Sequence, residues 1–341
     1  MERFSWAIVL GPLVNGSDID RSDAAAAVSE IMSGRATDAQ IGAFLAALRT
    51  KGESAEEIAG MVDAMMDAAV PVSIDGVVVD VVGTGGDGFG TFNISTTAAF
   101  VAAGAGVRVA KHGNRAASSP TGSADVLEAF GFDLELGPEQ VVAMIAETGF
   151  GFFFAPRFHP AMRHVGSVRR ELGIRTVFNF LGPLCNPANA RMSIGTSDLG
   201  MARLMIEVLE ARGVDRAFVV HGIDGLDEVS TTAPTRIFRL VDGEVTDAEF
   251  TPEDFGVSRA TIDDLVGGDV EENMRITRNV LGGEQGPHRD VSLVNAAPAI
   301  VLAELAEGFL EAMQLAEESI DSGAALGALN SSIEFSKSPP T

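Results

Sequence analysis

From residue 75 onward the chain carries one arrangement that leaves few folds open. Val77-Val78-Val79-Asp80-Val81-Val82 is a short β-branched run, and Gly83-Thr84-Gly85-Gly86-Asp87-Gly88 follows it directly. A run of that length and composition, bounded by glycines, predicts a buried strand. A helix is expected from about Ser95 to Ala103, a second strand at Val107 to Ala110, then a polar loop and a helix from about Ser123 to Phe130. Gly151 to Phe154, Arg191 to Gly195, Ala217 to Val220 and Arg236 to Leu240 read as further strands, with helices at about Met201 to Arg212 and Asp269 to Leu281. Alternation of this kind is the signature of parallel α/β architecture.

The first seventy residues differ in texture and read as three short helices. Ser22 is placed to cap Asp23 to Ser33, while Thr37-x-x-Gln40 and Ser54-x-x-Glu57 are capping boxes. Ile41, Phe44, Leu45 and Leu48 then repeat at i, i+3, i+4 and i+7, one buried helical face. His159 to Leu172 also reads as helical and is assigned to the same lobe. The expected fold class is therefore α/β, with a small discontinuous helical domain (1–72 plus about 159–188) and a larger α/β domain with a central, mostly parallel sheet (73–158 plus about 189–330). Ser331 to Thr341 reads as a loose polar tail. A length of 341 residues suits two lobes or one large α/β domain, and 46% hydrophobic residues can fill a large core.

Lys+Arg 24 against Asp+Glu 48 leaves a formal charge of -24, which repels nucleic acid and anionic membrane surfaces, so neither is an expected partner. The opening MERFSWAIVLGPLVNG is too short and interrupted for a signal peptide, and no window approaches a membrane span. The one cysteine, Cys185, cannot form an intrachain disulfide; the cytoplasm is the expected location.

Three loops carry chemistry. The Gly83–Gly88 loop sits where strand meets helix, so it is either a tight turn or an anion cradle whose backbone N–H groups approach phosphate. It matches neither a nucleotide-triphosphate loop nor G-x-G-x-x-G. Asn93-Ile94-Ser95-Thr96-Thr97 can cap the next helix or hold phosphate and a phosphate-bound metal. Lys111-His112-Gly113-Asn114-Arg115, followed by Ser118-Ser119, contains one of only three lysines and would focus positive charge on a shared crevice. Asp227-Glu228, after the strand Ala217 to Val220, is either a solvated acidic turn or a magnesium site completed by substrate phosphates. Arg169, in Arg169-Arg170-Glu171-Leu172-Gly173-Ile174-Arg175-Thr176, can fork onto a planar carboxylate or pair with an acidic residue between lobes.

Taken in order, GTGGDG, NIST, KHGNR with Ser118-Ser119 and GSADVLE, RRELGIRT, NFLGPLCNPA and GLDE resemble the anthranilate phosphoribosyltransferases of tryptophan biosynthesis over nearly the whole chain. KHGNR separates this pattern from the pyrimidine nucleoside phosphorylases, where serine typically replaces Gly113. The resemblance implies a homodimer formed through the helical lobes. It also implies transfer of phosphoribose from 5-phosphoribosyl 1-pyrophosphate to the amine of anthranilate, with Mg2+ as cofactor. By position, the donor site falls on Gly83, Gly86, Asp87, Thr91, Asn93, Ser95, Thr96, Lys111, Ser119 and Ser123. His112, Gly113, Arg115 and Ser118 belong to the same substrate-binding segment. The metal positions are Ser95, Asp227 and Glu228; the anthranilate positions are Asn114 and Arg169, with Gly83 near the acceptor. Lys111 and Arg169 are the catalytic candidates. Pro120-Thr121 and Phe130 depart from the usual residues, and none of these departures removes a mapped ligand.

Overall fold

The computed structural model describes residues 4–116 and 121–339. The chain opens with four helices rather than three: α1 (Trp6–Val14), α2 (Arg21–Met32), α3 (Asp38–Lys51) and α4 (Ala55–Asp67). The additional one, α1, is the apolar opening run. Ser5 caps it, and Pro12 is carried inside it while Val9 and Leu13 are buried. Both capping boxes form. Thr37 Oγ1 accepts from the Gln40 N–H at 3.3 Å and Gln40 Oε1 from the Thr37 N–H at 2.9 Å; Ser54 and Glu57 reciprocate at 3.3 and 2.8 Å. The start of α2 differs from the sequence expectation: its N-cap is Asp20 rather than Ser22. Arg21 is drawn into the first turn by Asp63 of α4, which accepts from its Nη2 at 2.6 Å.

The α/β part then runs β1 (Val79–Gly83), α5 (Ile94–Gly104), β2 (Val109–Gly113), α6 (Ser123–Ala129), α7 (Pro138–Thr148) and β3 (Phe150–Phe154). A helical excursion follows, with α8 (Ala155–Phe158), α9 (Arg163–Leu172) and α10 (Leu181–Leu184). The chain returns through β4 (Arg191–Gly195), α11 (Leu199–Ala211), β5 (Arg216–Gly222), β6 (Thr235–Val241) and β7 (Glu244–Phe250). It ends in α12 (Val270–Leu281), α13 (Pro287–Leu302), α14 (Phe309–Asp321) and α15 (Ala324–Lys337). No helix of the described residues is long and apolar enough to cross a membrane.

The seven strands form one sheet in the order β3-β2-β1-β4-β5-β6-β7. Strands β1 to β5 pair in parallel, and β6 and β7 are antiparallel. The edge strand β7 was not expected, because Glu244, Asp247 and Glu249 leave it no apolar alternation. Such a strand is specified by its hairpin, here turning at Asp242 and Gly243 with φ of 51° and 83°, and charge on an edge strand blocks further pairing.

Because the chain lays β2 and β3 on one side of β1 and returns to β4 on the other, the loops leaving β1 and β4 part company. The crevice between them is the ligand position of open α/β sheets. On one face of the sheet, Val165 and Val168 of α9 join Phe44 and Leu45 of α3, Ile194 of β4 and Leu209 of α11 in a single apolar core. The other face is covered by α5, α7 and α13 to α15, with Phe100 and Phe150 stacked at 4.3 Å.

The expected loose tail is corrected: α15 continues to Lys337, burying Ile333 and Phe335. Its serines do not mark solvent. Ser332 Oγ donates to Thr148 Oγ1 at 3.0 Å, and Ser336 Oγ accepts from the Asp133 N–H at 3.0 Å.

Candidate active site

The glycine loop begins where β1 ends. The Thr84 N–H donates to Gly195 O of β4 at 2.8 Å, so the loop starts paired to the far side of the crevice. Gly85 and Gly86 then take φ of 73° and 83°, left-handed conformations that only glycine adopts at low steric cost. Asp87 Oδ1 accepts from the Phe89 N–H at 3.2 Å, while its Oδ2 is buried with no hydrogen-bond partner among the described residues.

At the start of α5, the Asn93 side chain does not cap the helix. Its Nδ2 donates to Thr121 O at 3.3 Å and its Oδ1 accepts from Asn273 Nδ2 at 3.1 Å. Thr96 Oγ1 is buried without a hydrogen-bond partner among the described residues. The first turn of α5 is thus left uncapped by Asn93, with the Ser95 N–H given to the Glu228 carboxyl and the Thr96 hydroxyl without a partner among the described residues.

From β5, the loop 222–228 carries two acidic groups back into the crevice. Asp227 and Glu228 are only 7% and 9% exposed, so this is not a solvated turn. Asp227 Oδ2 accepts from the Gly85 N–H at 2.6 Å. Burial, with the neighbouring Asp87 charge, pushes the Asp227 carboxyl up to about 7. Burial and Asp227 hold Glu228 well above the usual carboxylate range. Among the described residues no three His, Cys, Asp or Glu side chains are placed to hold a metal by themselves. Two buried carboxylates that resist ionisation beside a third acidic group nonetheless fit a hard divalent cation whose remaining ligands come from phosphate and water.

Beneath the crevice lies a buried polar floor. Lys111 is 1% exposed; its Nζ donates to Val81 O and, at 3.3 Å, to Ser95 Oγ. Burial lowers its pKa, opposed by Asp80 and Glu228. Asp80 accepts from Asn186 Nδ2 at 2.8 Å and from the His112 N–H at 3.3 Å, and burial raises it to about 6 against the pull of Lys111. His112 Nδ1 lies 3.2 Å from Gly182 O, and burial pushes that ring down to about 3, so it is neutral.

On the helical side, Arg169 of α9 is half-buried with its Cζ 5.9 Å from the centre of the Phe178 ring. It makes no ion pair among the described residues, leaving its fork free for a carboxylate.

The helical bundle domain of the Glycosyl transferase family matches residues 9–69 and the a/b domain of that family matches residues 75–326. An anthranilate phosphoribosyltransferase of Salinispora arenicola is 52% identical over 340 residues, covering 97% of this chain and 96% of the relative. The chain belongs to the anthranilate phosphoribosyltransferase family. The crystal structure of the Thermus thermophilus enzyme is similar with a TM-score of 0.92 and 43% identity, over 97% of this chain and 99% of that one. The Saccharomyces cerevisiae enzyme in complex with PRPP and Mg has a TM-score of 0.90 and 30% identity, over 98% of both chains.

Within this family member Gly83, Gly85 and Asp87 meet Asp227, and Ser95 meets Glu228. Thr91 is bridged to Val266. Ser118, Ser119 and Pro120 lie outside the described residues. Gly113 packs against Ser123: a Cβ there would stand 2.3 Å from Ser123 Oγ. Asn114 is exposed.

The expected focus of positive charge from the second loop is corrected. Lys111 is turned under β1. Arg115 is held outward by Glu128, which accepts from Nη1 and Nη2 at 2.7 and 2.8 Å, and by Asp125 at 3.2 Å. His112 faces the Gly182 carbonyl rather than the crevice. Sequence reasoning missed Gly195, whose backbone abuts Asp227, and the Asp80–Asn186 pair below Lys111. The only local signal for Gly195 was a glycine closing a predicted strand.

Proposed function

We propose that the chain transfers the phosphoribosyl group of 5-phosphoribosyl 1-pyrophosphate to the amine of anthranilate, giving N-(5-phosphoribosyl)anthranilate and pyrophosphate. The observation that carries this reading is the hydrogen bond from the Gly85 N–H to Asp227, which brings an anion-binding loop and a cation-binding carboxylate pair to one point.

An aromatic amine is already neutral at pH 7, so the reaction needs little activation of the nucleophile. The barrier lies in leaving-group charge and in an electron-poor ribosyl centre, and catalysis is dominated by positioning and electrostatics. The N–H groups of the glycine loop and the first turn of α5 bind phosphate oxygens. Ser95, Asp227 and Glu228 would hold magnesium, which when bound supplies charge neutralisation to pyrophosphate. Lys111 contributes from below, holding Ser95 in place and offsetting the charge of Glu228 and Asp80. Arg169 orients the anthranilate carboxylate, and Asn114 is the second anthranilate position.

The same reading includes a cytoplasmic homodimer joined through the helical layer; Ile8 and Val14 of α1, 50% and 69% exposed, offer apolar surface for it. The test is loss of anthranilate fluorescence on mixing the protein with phosphoribosyl pyrophosphate, with magnesium present and then chelated. Consumption that requires both substrates and magnesium is expected. No consumption by folded protein would overturn the reading.

A further inference from the structure

Arg175 faces the glycine loop with nothing to pair with. It lies just beyond α9 and is exposed, and among the described residues it makes no hydrogen bond and no ion pair. Its position is specific. A Cβ on Gly86 would stand 3.4 Å from Arg175 Nη1, 3.5 Å from Nη2 and 3.6 Å from Cζ. Three nearly equal distances mean that the planar guanidinium presents its broad side to that point, which leaves its N–H edges free to donate.

The surroundings suit an anion. Arg175 lines a cavity of about 180 Å³ together with the donors Arg49, Thr84, Thr176, Thr196 and Ser197, from the helical layer and from the loops after β1 and β4, and with one carboxylate, Asp198, at the start of α11. Thr176 Oγ1 is buried and has no hydrogen-bond partner among the described residues. Two cations of the second loop are engaged by protein groups, while Arg49 and Arg169, like Arg175, make no ion pair among the described residues. Lys111 bonds Val81 O and Ser95, Arg115 is held by Glu128 and Asp125, and Arg169 sits over Phe178.

We propose that Arg175 is a further substrate-binding residue, its guanidinium forking onto the pyrophosphate of the phosphoribosyl donor from the helical side of the glycine loop. The inference rests on the transferase reading above. A guanidinium remains charged at any working pH and matches two phosphate oxygens at once, so it would hold the leaving group as its negative charge grows. It would also tie the helical layer to the α/β layer through the ligand, and the absence of a side chain at Gly86 gives it room to do so.

The experiment is calorimetric titration of pyrophosphate, with magnesium, into the wild type, R175Q, R175K and R203Q, joined to steady-state kinetics in both substrates. Arg203 is an exposed residue of α11 with Glu207 3.9 Å away, and its replacement removes the same charge without touching the crevice. R175Q is expected to weaken pyrophosphate binding and raise the donor KM by roughly 10- to 100-fold, with the anthranilate KM within about twofold of wild type. R175K should recover part of the loss, because an ammonium restores charge without the fork. R203Q should match the wild type. Equal pyrophosphate affinity in wild type and R175Q overturns the proposal, and so does an equal loss in R203Q. Melting temperatures identify any variant that is misfolded, and R175K then serves as the deciding comparison. A wild type that binds pyrophosphate but does not consume anthranilate overturns the transferase reading, while the calorimetric difference still decides the role of Arg175.

Discussion

The backbone of Gly195 lies so close to Asp227 that a Cβ at position 195 would stand 1.7 Å from the Asp227 carbonyl oxygen. A side chain at Gly83 would likewise come within 2.5 Å of Asp227 Oδ2. The end of β4 therefore sets the depth to which the acidic loop can enter the crevice. Gly195→Ala is expected to push that loop outward, costing about 2 kcal/mol of stability and lowering kcat/KM by roughly 100-fold. Urea unfolding and kinetics check the two effects; wild-type activity in a folded Gly195→Ala protein would contradict this account.

Asp227→Asn combined with Glu228→Gln removes two buried carboxyls, each held above the usual range by burial and acidic neighbours, together with the cation-binding groups. Activity should fall at least about 100-fold and its magnesium dependence should flatten. In the absence of metal the double variant should unfold at higher temperature than the wild type above neutral pH, because the cost of ionising the buried carboxyls is removed. An unaltered magnesium titration would count against the metal assignment.

Arg169 has no carboxylate partner and is steadied by Phe178, so its free fork is available to substrate. Arg169→Ala should raise the anthranilate KM by roughly 10- to 100-fold with little effect on the donor KM. Initial-rate measurements with each substrate varied in turn decide this, and an unchanged anthranilate KM would remove the role.

His112 links pH to stability. Its folded pKa of about 3 lies below the ordinary 6.5, so in that window the unfolded chain binds a proton that the folded one refuses. Stability from this group is complete above pH 6.5 and is lost as pH falls toward 3, the loss amounting to about 2 kcal/mol at pH 5. Urea unfolding of wild type and His112→Gln at pH 7.5 and pH 5 should show their difference in stability shrinking by about that amount. A difference independent of pH would show that His112 does not titrate this way.

The last turns of α15 can be tested by truncation. Ending the chain at Asn330 removes the buried Ile333 and Phe335 together with the hydrogen bonds of Ser332 and Ser336. A loss of about 3 kcal/mol or more is expected in calorimetric or urea unfolding. A truncated protein as stable as the full chain would restore the loose tail.

Local signals in the sequence were strong where structure is local. β-branched runs ending in glycine marked β1 and its loop, reciprocal Thr/Gln and Ser/Glu pairs marked the starts of α3 and α4, and Gly83, Asp87, Ser95, Asp227 and Glu228 were legible as candidates from residue type and position after strands. β7 and the end of α15 were not, since a polar edge strand is defined by its partner and a serine reads as polar whether it meets water or Thr148. Direction was equally hidden. Lys111 and Arg115 are four residues apart, yet one is turned beneath β1 and the other is captured by Glu128, because each takes the nearest low-energy partner that the fold supplies. By itself the sequence determined the central strands, the starts of α3 and α4, the glycine loop and the acidic pair, which follow from backbone preference and residue chemistry. Only the tertiary structure decided which cations face the crevice and how near Gly195 and Gly83 come to Asp227, because those depend on contacts between segments that are distant along the chain and meet only when the sheet is assembled.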